Sequence, residues 1–302
     1  MNRPFYIVSD TDFRKLKNDI VGELAIREEL FSQKYLLDED INILITKAGD
    51  IHVYQNDSFH GRDVYFLHDM GNEPWKDLAV ICVAAEDIRK HGAGSVSVIV
   101  PEWKLGHHDM GMPYLKDRTG SQGLVAAMLK ESSIDRLVTL TPTVDMLNDM
   151  YPVQVETPDI SKLIEKDMKR SSDTLSLIVS IESDVLPLAL NLSQRMGWDY
   201  ALCQTRADGS HVSADVYGRD VLLYTHHISD RLSNIISMLK REHCESINCY
   251  IPWVEDEEKL SKYAEDVNFI TLDRCSYSLS TPMEDILAIW ILRDRQKKQE
   301  VE

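Results

Sequence analysis

Two histidine-rich stretches carry the residue types best suited to chemistry, His107-His108-Asp109 and His226-His227. Imidazole beside carboxylate supports general acid–base work or a transition metal, so His107, His108, Asp109, His226 and His227 are the catalytic candidates. His107 and His226 are the candidates for a metal, but neighbours in an extended segment point to opposite faces, so only one of each pair could ligate, and no metal is assigned. A third constellation surrounds the second pair. Thr225 precedes it and Ser229, Asp230, Arg231 and Ser233 follow, giving hydroxyls and one cation where a helix would begin and where free N–H groups attract an anion.

The elements that must position these groups are legible around them. Gly218-Arg219-Asp220-Val221-Leu222-Leu223-Tyr224 reads as a buried strand running through the polar turn into a helix. In α/β sheets the loops at the carboxyl ends of strands carry the ligand site. The same phrase occurs earlier as Gly61-Arg62-Asp63-Val64-Tyr65-Phe66-Leu67-His68-Asp69. After each copy come an apolar-periodic helix, a basic stop (Arg89-Lys90-His91-Gly92 and Lys240-Arg241-Glu242-His243) and a strand ending at proline (Pro101 and Pro252). The copies are offset by 157 residues at the glycine and 151 at the proline, which argues for two related α/β halves rather than one large sheet.

A chain of 302 residues is long enough for two domains with real cores. Its 43% hydrophobic and 27% charged content is that of a globular protein, and no apolar run reaches the length of a membrane span, so no membrane partner is expected. A net charge of -17, with Lys and Arg interspersed, argues against nucleic acid. Met1 to Val8 opens on a strand-like run with none of the parts of a signal peptide, and the five cysteines form no CxxC pair; both point to free thiols in a reducing cytoplasm.

In chain order, the pattern predicts a strand at Phe5 to Ser9 and a helix from Phe13 to Leu30 capped at Asp10-Thr11-Asp12. A hairpin follows around Gly49-Asp50, then a strand from Val64, a helix from about Trp75 to Lys90 and a strand at Val96 to Val100. The long stretch Glu102 to Thr119 reads as a binding loop, with Trp103, Met110 and Met112 as packing residues. A polar, charged segment over Glu156 to Ser172 marks the connection, giving domains at 1–157 and 158–302, with the last helix free to pack back on the first. The second half repeats strand and helix, adds a polar hairpin at Ala207 to Val212, and closes with a helix over Met283 to Arg293, whose tail through Glu300 reads as solvated.

This order of elements resembles the phosphoribosyl pyrophosphate synthetases over nearly the whole chain. The resemblance is carried by Gly61 to Leu67, Lys90 to Val96, Leu105-Gly106-His107-His108-Asp109, Leu124 to Leu129 and Ile134 to Leu140. It implies two duplicated phosphoribosyltransferase-like domains, each a mainly parallel sheet flanked by helices, and a homo-oligomer, dimer or hexamer.

The residues that serve the family's chemistry are altered together. Its Tyr-Ala-Arg-Gln-Asp loop, whose Arg-Gln pair contacts ATP, aligns with Leu105 to Asp109 and keeps only the Asp; its Asp-Leu-His aligns with Thr141-Pro142-Thr143 and loses the magnesium-linked histidine. The adenine loop Phe-Ser-x-Gly-Glu meets Thr46-Lys47-Ala48-Gly49-Asp50, and the Lys-x-Arg of the flexible hairpin meets Thr205-Arg206-Ala207. The pyrophosphate segment Pro-Asp-Ala-Gly-Gly meets Ile181-Glu182-Ser183-Asp184-Val185, where Asp184 would repel phosphate. The ribose-phosphate loop Asp-Asp-x-x-Asp-Thr-Gly-Gly-Thr meets Thr225 to Ser233, so both leading acids are missing and Leu232 stands where close backbone approach needs glycine.

Diphosphoryl transfer depends on positioning and charge neutralisation, so two readings follow. One is a noncatalytic synthetase-like protein, regulatory or structural in nucleotide metabolism, with an active synthetase as a natural partner and no cofactor. The other is a divergent diphosphokinase acting on a different ribose-containing acceptor, and only that reading brings in magnesium and ATP.

Overall fold

The computed structural model describes residues 4–10, 13–27, 36–55, 58–105, 121–140, 148, 151–160, 164, 176–181, 185–206, 209–225, 228, 230–254, 257–272, 278–280 and 283–301. Two compact units emerge: Met1–Pro158 together with Glu284–Glu302, and Asp159–Met283.

Short runs of branched and aromatic residues between turns form the first sheet. Its chain segment supplies β1 (Phe5–Ser9), α1 (Arg14–Arg27), β2 (Leu36–Asp40), β3 (Asn42–Ile45), β4 (Ile51–Tyr54), β5 (Asp63–Leu67), α2 (Pro74–Lys90), β6 (Ser95–Ile99), α3 (Ser121–Glu131), β7 (Arg136–Val138) and β8 (Gln154–Glu156). Six of these strands form one parallel sheet in the order β2-β1-β5-β6-β7-β8, while β3 and β4 pair antiparallel as the hairpin expected around Gly49. Strand β5 is buried almost throughout, as a parallel strand covered on both faces must be. Helix α2 turns Leu78, Ile81, Ala85 and Ile88 into the core, and full burial of each leucine or isoleucine stabilises by about 1.5–3 kcal/mol. Pro74 in its first turn costs no hydrogen bond, because the first amides of a helix have no internal acceptor.

The second unit follows with β9 (Ser176–Ser180), α4 (Leu186–Met196), β10 (Asp199–Arg206), β11 (Gly209–Val212), β12 (Asp220–Tyr224), α5 (Asp230–Arg241), β13 (Ser246–Tyr250), α6 (Glu257–Ser261), β14 (Asn268–Thr271) and β15 (Ser278–Ser280). Its sheet runs β11-β10-β9-β12-β13-β14-β15, parallel except for the β10–β11 hairpin.

The repeat read from the sequence is physical. Val64 pairs with Tyr6 and Val96, and Val221 pairs with Leu177 and Ile247, so β5 and β12 are equivalent central strands. Asp63 accepts the hydroxyl hydrogen bond of Ser95, and Asp220 that of Ser246. Gly61 and Gly218 both take positive φ, and their amides donate to the carbonyls of Gly92 and His243. Gly94 has a separate reason to be glycine, since a Cβ there would lie 2.3 Å from the Gly61 carbonyl oxygen.

Helix α7 (Met283–Val301) runs beyond the Arg293 expected as its end, and its tail is not wholly solvated. Asp294 and Arg295 are buried against the first sheet. Asp294 receives both terminal nitrogens of Arg136, Nη1 at 2.5 Å and Nη2 at 2.7 Å, and the Tyr65 hydroxyl at 2.6 Å. Arg295 pairs with Asp63, and Lys298 lies 3.2 Å from the same carboxylate. Among the described residues no helix is long and apolar enough to cross a membrane.

Candidate functional site

The expected ligand edge of the second unit is built by β12 and α5. Thr225, fully buried, follows the strand and donates its amide to the Tyr250 carbonyl at 3.2 Å. Helix α5 starts at Asp230, and in its first turn Leu232 is fully buried in a cluster with Val221, Leu223, Ile235, Ile236 and Leu239. The turn is therefore anchored through an apolar side chain, where a phosphate cradle presents bare backbone. Arg231, the cation of the expected anion site, donates from Nη2 to the Cys203 carbonyl of β10 at 3.2 Å, and its buried Nε has no hydrogen-bond partner among the described residues. Ser233 is half-buried on the helix. Thr225, Asp230, Arg231 and Ser233 thus gather at one strand–helix junction. His226, His227, Ser229, Glu182, Ser183 and Asp184 lie outside the described residues.

In the first unit, His107, His108, Asp109 and Thr141-Pro142-Thr143 lie outside the described residues as well. What precedes them is core. Trp103 is fully buried, meets Tyr151 edge to face at 5.9 Å and donates its indole N–H to the Tyr151 hydroxyl at 3.3 Å, a packing role as the sequence suggested. At the hairpin tip, Asp50 is tied into the turn: its carbonyl accepts from the Thr46 amide at 2.9 Å and its amide donates to the Thr46 hydroxyl at 3.0 Å.

Sequence reasoning missed a pair on this edge. Asp10 follows β1 and His68 follows β5, and His68 Nδ1 lies 2.6 Å from an Asp10 carboxylate oxygen. The other Asp10 oxygen accepts from the Phe13 amide at 3.0 Å, the turn that starts α1. His68 is buried, and its Nε2 has no hydrogen-bond partner among the described residues. Nearby, Asp77 in the first turn of α2 accepts from the Gly71 amide at 2.8 Å, and burial pushes its carboxyl above the usual carboxylate range. The signal was present in the repeat register: Gly61 to His68 overlays Gly218 to Thr225, so His68 holds the position that Thr225 holds in the second unit. Among the described residues no group of three His, Cys, Asp or Glu could hold a metal ion.

The two units, each built on a mainly parallel sheet, form the two-domain α/β frame that the resemblance implied. A solved phosphoribosylpyrophosphate synthetase from Mycobacterium smegmatis superimposes with a TM-score of 0.78 at 16% identity, covering 98% of this chain and 100% of that one. Ribose-phosphate pyrophosphokinase of Chromobacterium violaceum is 23% identical over 210 residues, 67% of this chain and 64% of that protein. The Pasteurella multocida enzyme of the same name is 22% identical over 220 residues, 70% of this chain and 69% of that protein. The first of these matches thus spans slightly less than two thirds of its relative's length. No protein-family model matches the chain. The chain is a divergent relative of the ribose-phosphate pyrophosphokinases, sharing their fold.

Proposed function

We propose that this chain is a synthetase-like protein that does not make phosphoribosyl pyrophosphate from ATP and ribose 5-phosphate, and that it acts as a regulatory or structural homologue in nucleotide metabolism. The observation that carries this reading is Leu232, whose side chain fills the core at the first turn of α5. A loop that wraps a phosphate must bring successive backbone amides against its oxygens, and glycine permits that approach. Here one of those positions holds the helix down. The loss of both acidic partners for the ribose hydroxyls, at Thr225 and His226, removes the second half of the same grip. The carboxylate of Asp184 adds repulsion where pyrophosphate would bind.

The same reading includes a homo-oligomer, dimer or hexamer, with an active synthetase as a natural hetero-partner, no nucleic-acid or membrane partner, no cofactor of its own and a cytoplasmic location. Calorimetric titration with a non-hydrolysable ATP analogue and magnesium, followed by ribose 5-phosphate, tests it. The expected result is no saturable nucleotide heat. Saturable binding of the analogue and metal would instead favour a diphosphokinase acting on another ribose-containing acceptor, with His107 and His226 as the first residues to replace.

A further inference from the structure

The first sheet has its own switch point, unrelated to the altered motifs. From β1 the chain crosses through α1 to β2 on one side, whereas β5 lies on the other side and leads through α2 to β6. The carboxyl ends of β1 and β5 therefore border the crevice where open α/β sheets bind ligands. Asp10 and His68 stand at those two ends and touch. A carboxylate can only accept, so the imidazole donates from Nδ1, and Asp10 fixes both the tautomer and the ring orientation. The His68 side chain is 10% exposed and that of Asp10 13%. Phe66 stacks on the imidazole at 5.9 Å, holding it from the side. The remaining ring nitrogen, Nε2, is buried and has no hydrogen-bond partner among the described residues.

A buried nitrogen left unmet has lost its water without replacement, a cost that a bound partner removes. The surroundings select which partner. Asp10, Asp69 and Asp77 make the locality acidic, and the Asp77 carboxyl interacts electrostatically with both His68 and Asp69, so an anion is disfavoured. A coordinated cation needs further ligands, and no group of three suitable side chains exists among the described residues. A hydroxyl fits, because it donates to the neutral ring and accepts from the protonated one.

From this we infer that the Asp10–His68 pair is a ligand site of the first unit, in which His68 Nε2 binds a hydroxyl of a small uncharged polyol of the sugar class. The site stands whether or not the second unit transfers diphosphate. The test is imidazole nitrogen NMR on the full chain labelled at histidine, titrated with D-ribose. The His68 resonances are assigned by their loss in His68→Gln and, independently of any variant, by contacts to the Phe66 ring. The expected result is an Nδ1-protonated tautomer whose Nε2 signal moves saturably with D-ribose, with affinity about tenfold weaker in Asp10→Asn, the equivalent of one oriented hydrogen bond. An Nε2 signal unmoved by D-ribose at any soluble concentration overturns the inference. So does one that moves with inorganic phosphate or zinc but not with the sugar, or one that shows only a long-lived water contact.

Discussion

Replacing Asp294 tests how α7 is held on the first unit. Burial alone would raise this carboxyl, but hydrogen bonds from Arg136 and Tyr65 and the charge of Lys298 hold it down at about 2. An aspartate in an unfolded chain titrates near 3.8, the ordinary value. Because the folded value is the lower one, the contribution is fully present above about pH 4 and is lost as pH falls toward about 2. That lowering corresponds to roughly 2 kcal/mol of stability. Asp294→Asn removes the charge and leaves the buried Arg136 guanidinium with Glu156, at 3.5 Å, as its one carboxylate partner among the described residues. Breaking a buried pair this way costs about 3–5 kcal/mol at neutral pH. Urea unfolding, read by hydrogen exchange at α7 and β5 so that the two units are separated, should show that cost at pH 7. Between pH 4 and pH 2 the gap between wild type and variant should shrink by roughly 2 kcal/mol, a difference that cancels other titrating groups. A gap that is already absent at pH 7, or that does not change with acid, would refute the argument that this pair docks the helix.

Three further outcomes are expected. Leu232→Ala should destabilise the second unit by about 2–5 kcal/mol in urea, through loss of a fully buried side chain, without creating synthesis of phosphoribosyl pyrophosphate. Gly94→Ala should lower the stability of the first unit, since its Cβ meets the Gly61 carbonyl at 2.3 Å and neither backbone is free to move; unchanged thermal unfolding would count against that close approach. The Cys82 thiol, which burial pushes up to about 11, should alkylate slowly at pH 8 in the folded chain and rapidly in urea, as mass spectrometry of the labelled peptide would show.

The duplicated frame was legible because both copies obey the same local rules. Glycine opens the strand, an aspartate accepts from the serine of the next strand, and a basic helix end precedes the turn, so Gly61 and Gly218 announced β5 and β12 directly. Edge elements were less so. Strands β8 and β15 are only three residues each, too short for a pattern, and β2 lacks alternation: the polar segment Leu36-Leu37-Asp38-Glu39-Asp40 forms a strand because β1 offers it a parallel partner. The tail of α7 looked solvated because its charges were read singly. Their partners Asp63, Tyr65 and Arg136 lie more than 150 residues earlier, beyond any local pattern. His68 escaped for the same reason, as Asp10 is 58 residues away and nothing in either local sequence names the other. The losses at the candidate site were visible position by position. That Leu232 is a core residue, and that part of the Arg231 guanidinium is committed to a β10 carbonyl, required the packing.

The central claim is the absence of ordinary phosphoribosyl pyrophosphate synthesis, and isotope transfer measures it most directly. The full chain is incubated with magnesium, ATP labelled in the transferable phosphates and ribose 5-phosphate in excess, and product is resolved from nucleotide. No phosphoribosyl pyrophosphate above the protein-free control is expected, in wild type and in Leu232→Gly alike. Product formed by wild type at an ordinary enzymatic rate, on the order of one turnover per second or faster, would contradict it.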